Sequence, residues 1–196
     1  MSCEIRKYRP EDKEALRHIC LETAGEYFRK NEKTFNAVPI IYSDYFTENE
    51  PENIFVIDDG NGTAVGYILC STDCDGFRKK MLAKYIPCAV KAGAGMLPAC
   101  IGYSFAHFVN GRKNSVHLHI DILPEYQHMG LGTQLIDTLR KYLYNKGIDR
   151  LSVNTIDRNE PPYKFYTKYG FRENRHYIGS LYSLTISTCM KAEAKK

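Results

Sequence analysis

The sequence predicts a single α/β domain built on a mixed, mostly antiparallel sheet of six or seven strands flanked by about four main helices. Three observations carry that expectation. Asn53–Asp58 and Thr63–Cys70 are two β-rich runs joined by Asp59-Gly60-Asn61-Gly62, a strong hairpin signal. Val116–Leu139 passes from an alternating segment through a glycine turn into a helix, and Asp149–Asn154 alternates again, so a strand–helix–strand unit with a parallel, right-handed crossover is expected. Finally, 196 residues at 43% hydrophobic and 26% charged suit one ordinary domain with a sizeable core.

The elements follow in chain order. Cys3–Tyr8 alternates as a short strand, and Pro10-Glu11-Asp12 places acidic residues at the start of a helix whose apolar face is Leu16, Ile19 and Cys20. Phe28–Glu48 is mixed, with Pro39 dividing any helix in two. Its aromatics, Phe28, Phe35, Tyr42, Tyr45 and Phe46, suit the core or line a substrate entrance. After the hairpin, Ser71–Ser115 reads as a helical insertion before the central strand. Phe77, Met81 and Tyr85, with Leu82 and Ile86, form its apolar stripe; Arg78, Lys79, Lys80 and Lys84 form its wetter side. The insertion either lies over the acceptor side of a site or embellishes the structure. Leu131, Leu135, Leu139, Tyr142 and Leu143 recur at helical steps and Gly147 stands where that helix would end. A further helix is expected from about Pro162 to Gly170, then strands over Arg175–Ile178 and Ser180–Thr188 and a polar tail over 190–196.

The charge of +4 is mild and scattered, so no nucleic-acid surface is indicated. No apolar run approaches the roughly 20 residues of a membrane span, and the charged amino terminus does not read as a signal peptide. The seven cysteines lack paired zinc or disulfide spacing and read as reduced thiols, so a cytoplasmic protein is expected.

Two glycines at the mouth of a helix let backbone approach a ligand, with unpartnered N–H groups beside the positive end of the helix dipole, a setting suited to phosphate or to a plain β-to-α connection. Gln127-x-x-Gly130-x-Gly132, directly after Leu123-Pro124-x-Tyr126, closely resembles the acetyl-CoA-binding signature of the GNAT N-acetyltransferase superfamily. Asn159, followed seven residues later by Tyr166 within Phe-Tyr-x-x-Tyr-Gly-Phe, resembles that family's second motif; Pro161-Pro162 departs from it.

The resemblance covers most of the chain outside Ser71–Ser115 and implies one domain over residues 1–189. It implies acetyl-CoA held by Gln127, His128, Met129, Gly130, Leu131, Gly132, Thr133, Asn159 and Tyr166, with the N–H groups of Ile122 and Leu123 aimed at the acetyl carbonyl. Tyr166 would protonate the leaving thiolate. On residue type alone, Asn159 reads as a turn or capping residue and Tyr166 as a core aromatic.

Alternation places His117, His119 and Asp121 on one strand face. Asp121 is expected as the base or as partner of the His119 imidazole; bracing a nearby loop is the structural alternative. Two histidines without a third ligand argue against a metal. The function implied is direct transfer of an acetyl group from acetyl-CoA to a small-molecule primary amine or an exposed amino group, with homodimers common in the family. The long insertion and the HIDILPEYQHMGLG wording are also similar to the acetyltransferase-like domains that accompany some O-GlcNAc hydrolases. That similarity implies an alternative, a binding module that keeps the fold without turnover.

Overall fold

The computed structural model describes residues 3–101, 116–155, 161–177 and 179–186. Asn159, the end of the expected insertion at 102–115, Ile178, residues 187–188 and the 190–196 tail lie outside them.

A seven-stranded sheet runs in the order β1-β2-β3-β4-β5-β7-β6. Its strands are β1 (Glu4–Lys7), β2 (Phe55–Asp58), β3 (Ala64–Ser71), β4 (Val116–Ile122), β5 (Arg150–Thr155), β6 (Arg172–Tyr177) and β7 (Gly179–Thr185). Every pairing is antiparallel except β4 with β5. The β2–β3 connection is the expected hairpin, with Gly60 and Gly62 both at positive φ and Asp58 Oδ1 accepting both of their N–H groups at 2.9 Å.

Four stretches of helix dominate the described residues. They are α1 (Lys13–Glu22), a continuous run from α6 (Cys74–Lys80) through a π turn at Met81–Tyr85 into α7 (Ile86–Ala92), α8 (Leu131–Asn145) and α9 (Pro161–Tyr169). Four short helices, α2 (Glu26–Arg29), α3 (Glu32–Asn36), α4 (Val38–Tyr42) and α5 (Asp44–Asn49), fill Phe28–Glu48, and Pro39 stands in the first turn of α4.

Two apolar layers enclose the sheet. Leu16, Ile19 and Cys20 of α1 pack with Ile41, Tyr45, Phe46, Phe77, Met81 and Tyr85 against Val56, Tyr67 and Leu69. On the other face Leu135, Ile136, Leu139 and Leu143 of α8 meet Phe55, Ile57, Ile68, Leu118, Leu151 and Val153. The 3.6-residue period of α8 and the two-residue period of the strands thus converge on one interior.

The insertion's stripe is buried at Phe77, Met81 and Tyr85, but Leu82 is 64% exposed. The π turn shifts the register within that run, and Leu82 belongs to the outer side. Lys84 and Tyr85 donate to Glu48 Oε2 at 2.7 and 2.8 Å, and Lys80 donates to Asn49, so this face is tied to α5. No described helix is long and apolar enough to cross a membrane.

Candidate active site

The sheet opens at the parallel seam between β4 and β5, the only one among the described residues. β4 pairs with β3 from Ser71↔His117 to Gly66↔Ile122, but with β5 only at Val116↔Leu151 and His117↔Ser152. Past His117 the two strands part. Leu123 N–H donates to Val65 O at 3.0 Å, so this group is spent and is not the free donor the resemblance implies. Because successive N–H groups of a strand point to opposite edges, that of Ile122 points to the β5 side, where pairing has stopped. Gln127 Nε2 donates to Ile122 O at 2.8 Å; its side chain braces the strand end.

The glycine turn follows at once. His128 (φ 62) and Gly130 (φ 79) both adopt left-handed backbone, and Gly130 opens α8 without any side-chain cap. The first helical bond runs from Gln134 N–H to Gly130 O, which leaves the Leu131, Gly132 and Thr133 N–H groups without intrahelical partners. A Cβ on Gly132 would lie 3.2 Å from Phe165 Cζ and 3.6 Å from Ile122 Cδ1, so the helix starts in tight contact with α9 and β4 and leaves little room for a larger side chain. Leu131 is buried, whereas Gln127, His128, Met129 and Thr133 are exposed. The side chains therefore frame a surface whose donors are backbone, and the partial positive charge at the start of a 15-residue helix adds to them.

On the α1 face of β4 the three titratable residues separate. His117 is buried in the apolar layer, 4.5 Å from the Phe77 ring and 5.9 Å from Phe46, with Cys74 Sγ 3.9 Å from Nδ1. It reads as a packed residue. His119 and Asp121 remain half-buried, and His119 Nε2 lies 2.9 Å from Asp121 Oδ2 at ion-pair distance but without hydrogen-bond alignment. Tyr67, wholly buried and opposite Asp121 in the ladder, donates its O–H to the same carboxylate oxygen at 2.5 Å. Burial, then the neighbouring Asp121 charge, pushes the Tyr67 phenol far up, so it stays a donor. The Tyr42 ring, 5.6 Å from His119, and the Cys20 thiol of α1 complete the wall.

Tyr67 and Cys20 escaped the sequence reading as site residues, and Tyr42 entered it only as a core or substrate-entrance aromatic. Tyr67 shares the alternation of β3, but only the register with β4 puts it opposite Asp121. Tyr166 sits on α9, 5% exposed between Phe165 and Phe171. Burial and, beyond it, the Asp121 charge raise its phenol, so the two groups stand within electrostatic reach across the opening. The structure thus brings together the end of β4, the start of α8 and Tyr166, and sets His117 apart.

The profile of the acetyltransferase (GNAT) family matches residues 17–171. Among solved structures the chain is similar to SsHAT at 28% identity, with a TM-score of 0.82 and coverage of 95% of this chain and 99% of that one. Two others share the fold: the PaiA N-acetyltransferase of Thermoplasma acidophilum in complex with coenzyme A (19% identity, TM-score 0.64, 94% and 99% covered) and yncA of Salmonella typhimurium with its cofactor acetyl-CoA (16% identity, TM-score 0.57, 95% and 95% covered).

Proposed function

The chain belongs to the acetyltransferase (GNAT) family, and we propose that it moves an acetyl group from acetyl-CoA directly to a primary amine, a small molecule or an exposed amino group. The observation that carries this reading is the parting of β4 from β5 beside the Asp121–His119 pair, at the uncapped start of α8. Donor seat, open backbone edge and proton acceptor meet there.

In this reading the N–H groups of Leu131, Gly132 and Thr133, with the backbone of Gln127, His128, Met129 and Gly130, hold the pyrophosphate. Three donors without intrahelical partners, and no acidic residue in the first turn, fit that group. Asn159 follows from the family motif as a further contact to the cofactor. Bound acetyl-CoA supplies an activated thioester. The Ile122 N–H, aimed into the opening, stabilises negative charge developing on the acetyl oxygen. Asp121 accepts the ammonium proton of the acceptor directly or through His119, which frees the nitrogen lone pair for attack. Tyr166 donates its phenolic proton to sulfur late, as thiolate charge develops, because a buried phenol gives up its proton only to a strong base. Tyr67 fixes the Asp121 carboxylate throughout.

The test is release of free CoA from acetyl-CoA with a panel of primary amines. The proposal expects amine-dependent release, reduced by about 100-fold or more in kcat/KM in Asp121→Asn. Binding of acetyl-CoA without release for any amine would instead support the non-turnover module.

A further inference from the structure

We propose that Cys20, His119 and Asp121 form a binding site for a zinc-class divalent transition-metal ion whose occupancy shuts off acetyl transfer. The site itself rests on geometry alone; the inhibitory consequence rests on the transferase reading above. One ligand atom from each of the three residues lies within 4.8 Å of the other two. In tetrahedral zinc sites, bonds of about 2.0–2.3 Å set ligand atoms roughly 3.3–3.8 Å apart, so small side-chain rotations suffice.

The donor set is thiol, imidazole and carboxylate, the mixture that suits zinc and its neighbours rather than calcium or magnesium. His119 Nε2 is a buried nitrogen that makes no hydrogen bond among the described residues, although it faces a carboxylate oxygen 2.9 Å away. A proton or a metal ion placed between them relieves that mismatch. Tyr67 strengthens the case for the ion. Its hydroxyl holds Asp121 Oδ2 at 2.5 Å, so a buried phenol orients one of the three donors. Such outer partners typically steady metal ligands.

The His119 and Asp121 side chains keep 32% and 20% of their surface exposed, which leaves the fourth position to water. Binding transfers the Cys20 thiol proton to solvent, and the thiolate and carboxylate then balance the dication. In this state the ion holds the His119 Nε2 lone pair and neutralises the Asp121 carboxylate, so neither group is basic enough to take the acceptor's proton. The third ligand was invisible in the sequence because it comes from α1, far upstream of the His-x-His segment.

The test is Co2+ titration of chelator-treated full-length protein, read by absorption. The expected result is one Co2+ per chain with a near-ultraviolet thiolate-to-metal band that persists in Cys88→Ala, vanishes in Cys20→Ala, and needs at least tenfold more Co2+ in His119→Gln. Zn2+ then inhibits wild type, reversibly with chelator, but not Cys20→Ala. Cobalt binding with no thiolate band, or with a band that survives Cys20→Ala, overturns the site. If Cys20→Ala does not fold, an unchanged Co2+ affinity in His119→Gln overturns it equally. Turnover by a protein that binds no Co2+ contradicts the metal site alone, and Co2+ binding by a protein that releases no CoA contradicts the transferase reading alone.

Discussion

Tyr166 and Asp121 face the same opening from α9 and β4, yet burial treats them differently. The phenol is sealed between Phe165 and Phe171, so Tyr166→Phe keeps the packing and removes only the proton. The expected outcome is a fall in kcat of about 100-fold with little change in acetyl-CoA affinity; steady-state kinetics paired with a binding titration check it. An unchanged kcat removes Tyr166 from the chemistry. At this scale residue type and motif spacing singled out both groups before any contact was known. They did not reveal Tyr67, because its relation to Asp121 depends on strand register, nor the burial of His117 beneath Phe77 of the insertion. Alternation places side chains on a face but says nothing of which helix covers it.

Element by element, α8 was the most legible part of the chain, since it announces its own ends. Gly130 opens it, and Gly147 (φ 74) closes it in a motif where Ile148 N–H donates to Leu143 O at 3.0 Å. The two ends make separable predictions. Gly147→Ala is expected to cost about 1 kcal/mol of stability and leave the KM for acetyl-CoA alone. Gly132→Val forces a branched side chain against Phe165 and is expected to raise that KM at least tenfold, with about 1–3 kcal/mol of destabilisation from overpacking. Denaturant unfolding and acetyl-CoA saturation curves for both variants measure the contrast. Equal KM effects at the two ends would deny the start of α8 its binding role. The insertion was less legible. Periodicity found its buried stripe but not the π turn, which changes the facing of Leu82 without leaving a mark in composition.

The whole sheet is anchored at its β1 edge by one cation. Arg6 donates to Asp58 Oδ2 at 2.6 Å and to both Asp12 oxygens at 2.7 and 2.9 Å, joining β1, β2 and the turn that leads into α1. The Arg6 hydrogen bond holds the Asp58 carboxyl below its ordinary value. Burial pushes Asp12 up, but Arg6 and the Arg9 N–H together outweigh it and leave it lowered too. Depressed carboxylates contribute stability that is present above their unfolded pKa and lost as pH falls through the folded one. Stability is therefore expected to be level above about pH 5 and to decline below about pH 4. Arg6→Ala is expected to cost about 3 kcal/mol at neutral pH and to flatten the acid limb; urea unfolding at several pH values checks both. The β2–β3 hairpin and the parallel pair followed from hairpin and strand–helix–strand patterns, whereas the strand order, with β7 between β5 and β6, did not. The parting of β4 and β5 after His117 is a matter of register and needed coordinates.

The proposed acetyl transfer depends on one claim, that the end of β4 and the start of α8 seat acetyl-CoA. Calorimetric titration of the full chain with acetyl-CoA tests it most directly. The account predicts one molecule bound per chain, with affinity weakened at least tenfold in Gly132→Val and unaltered in Gly147→Ala. An absence of binding, or binding indifferent to Gly132→Val, would contradict it.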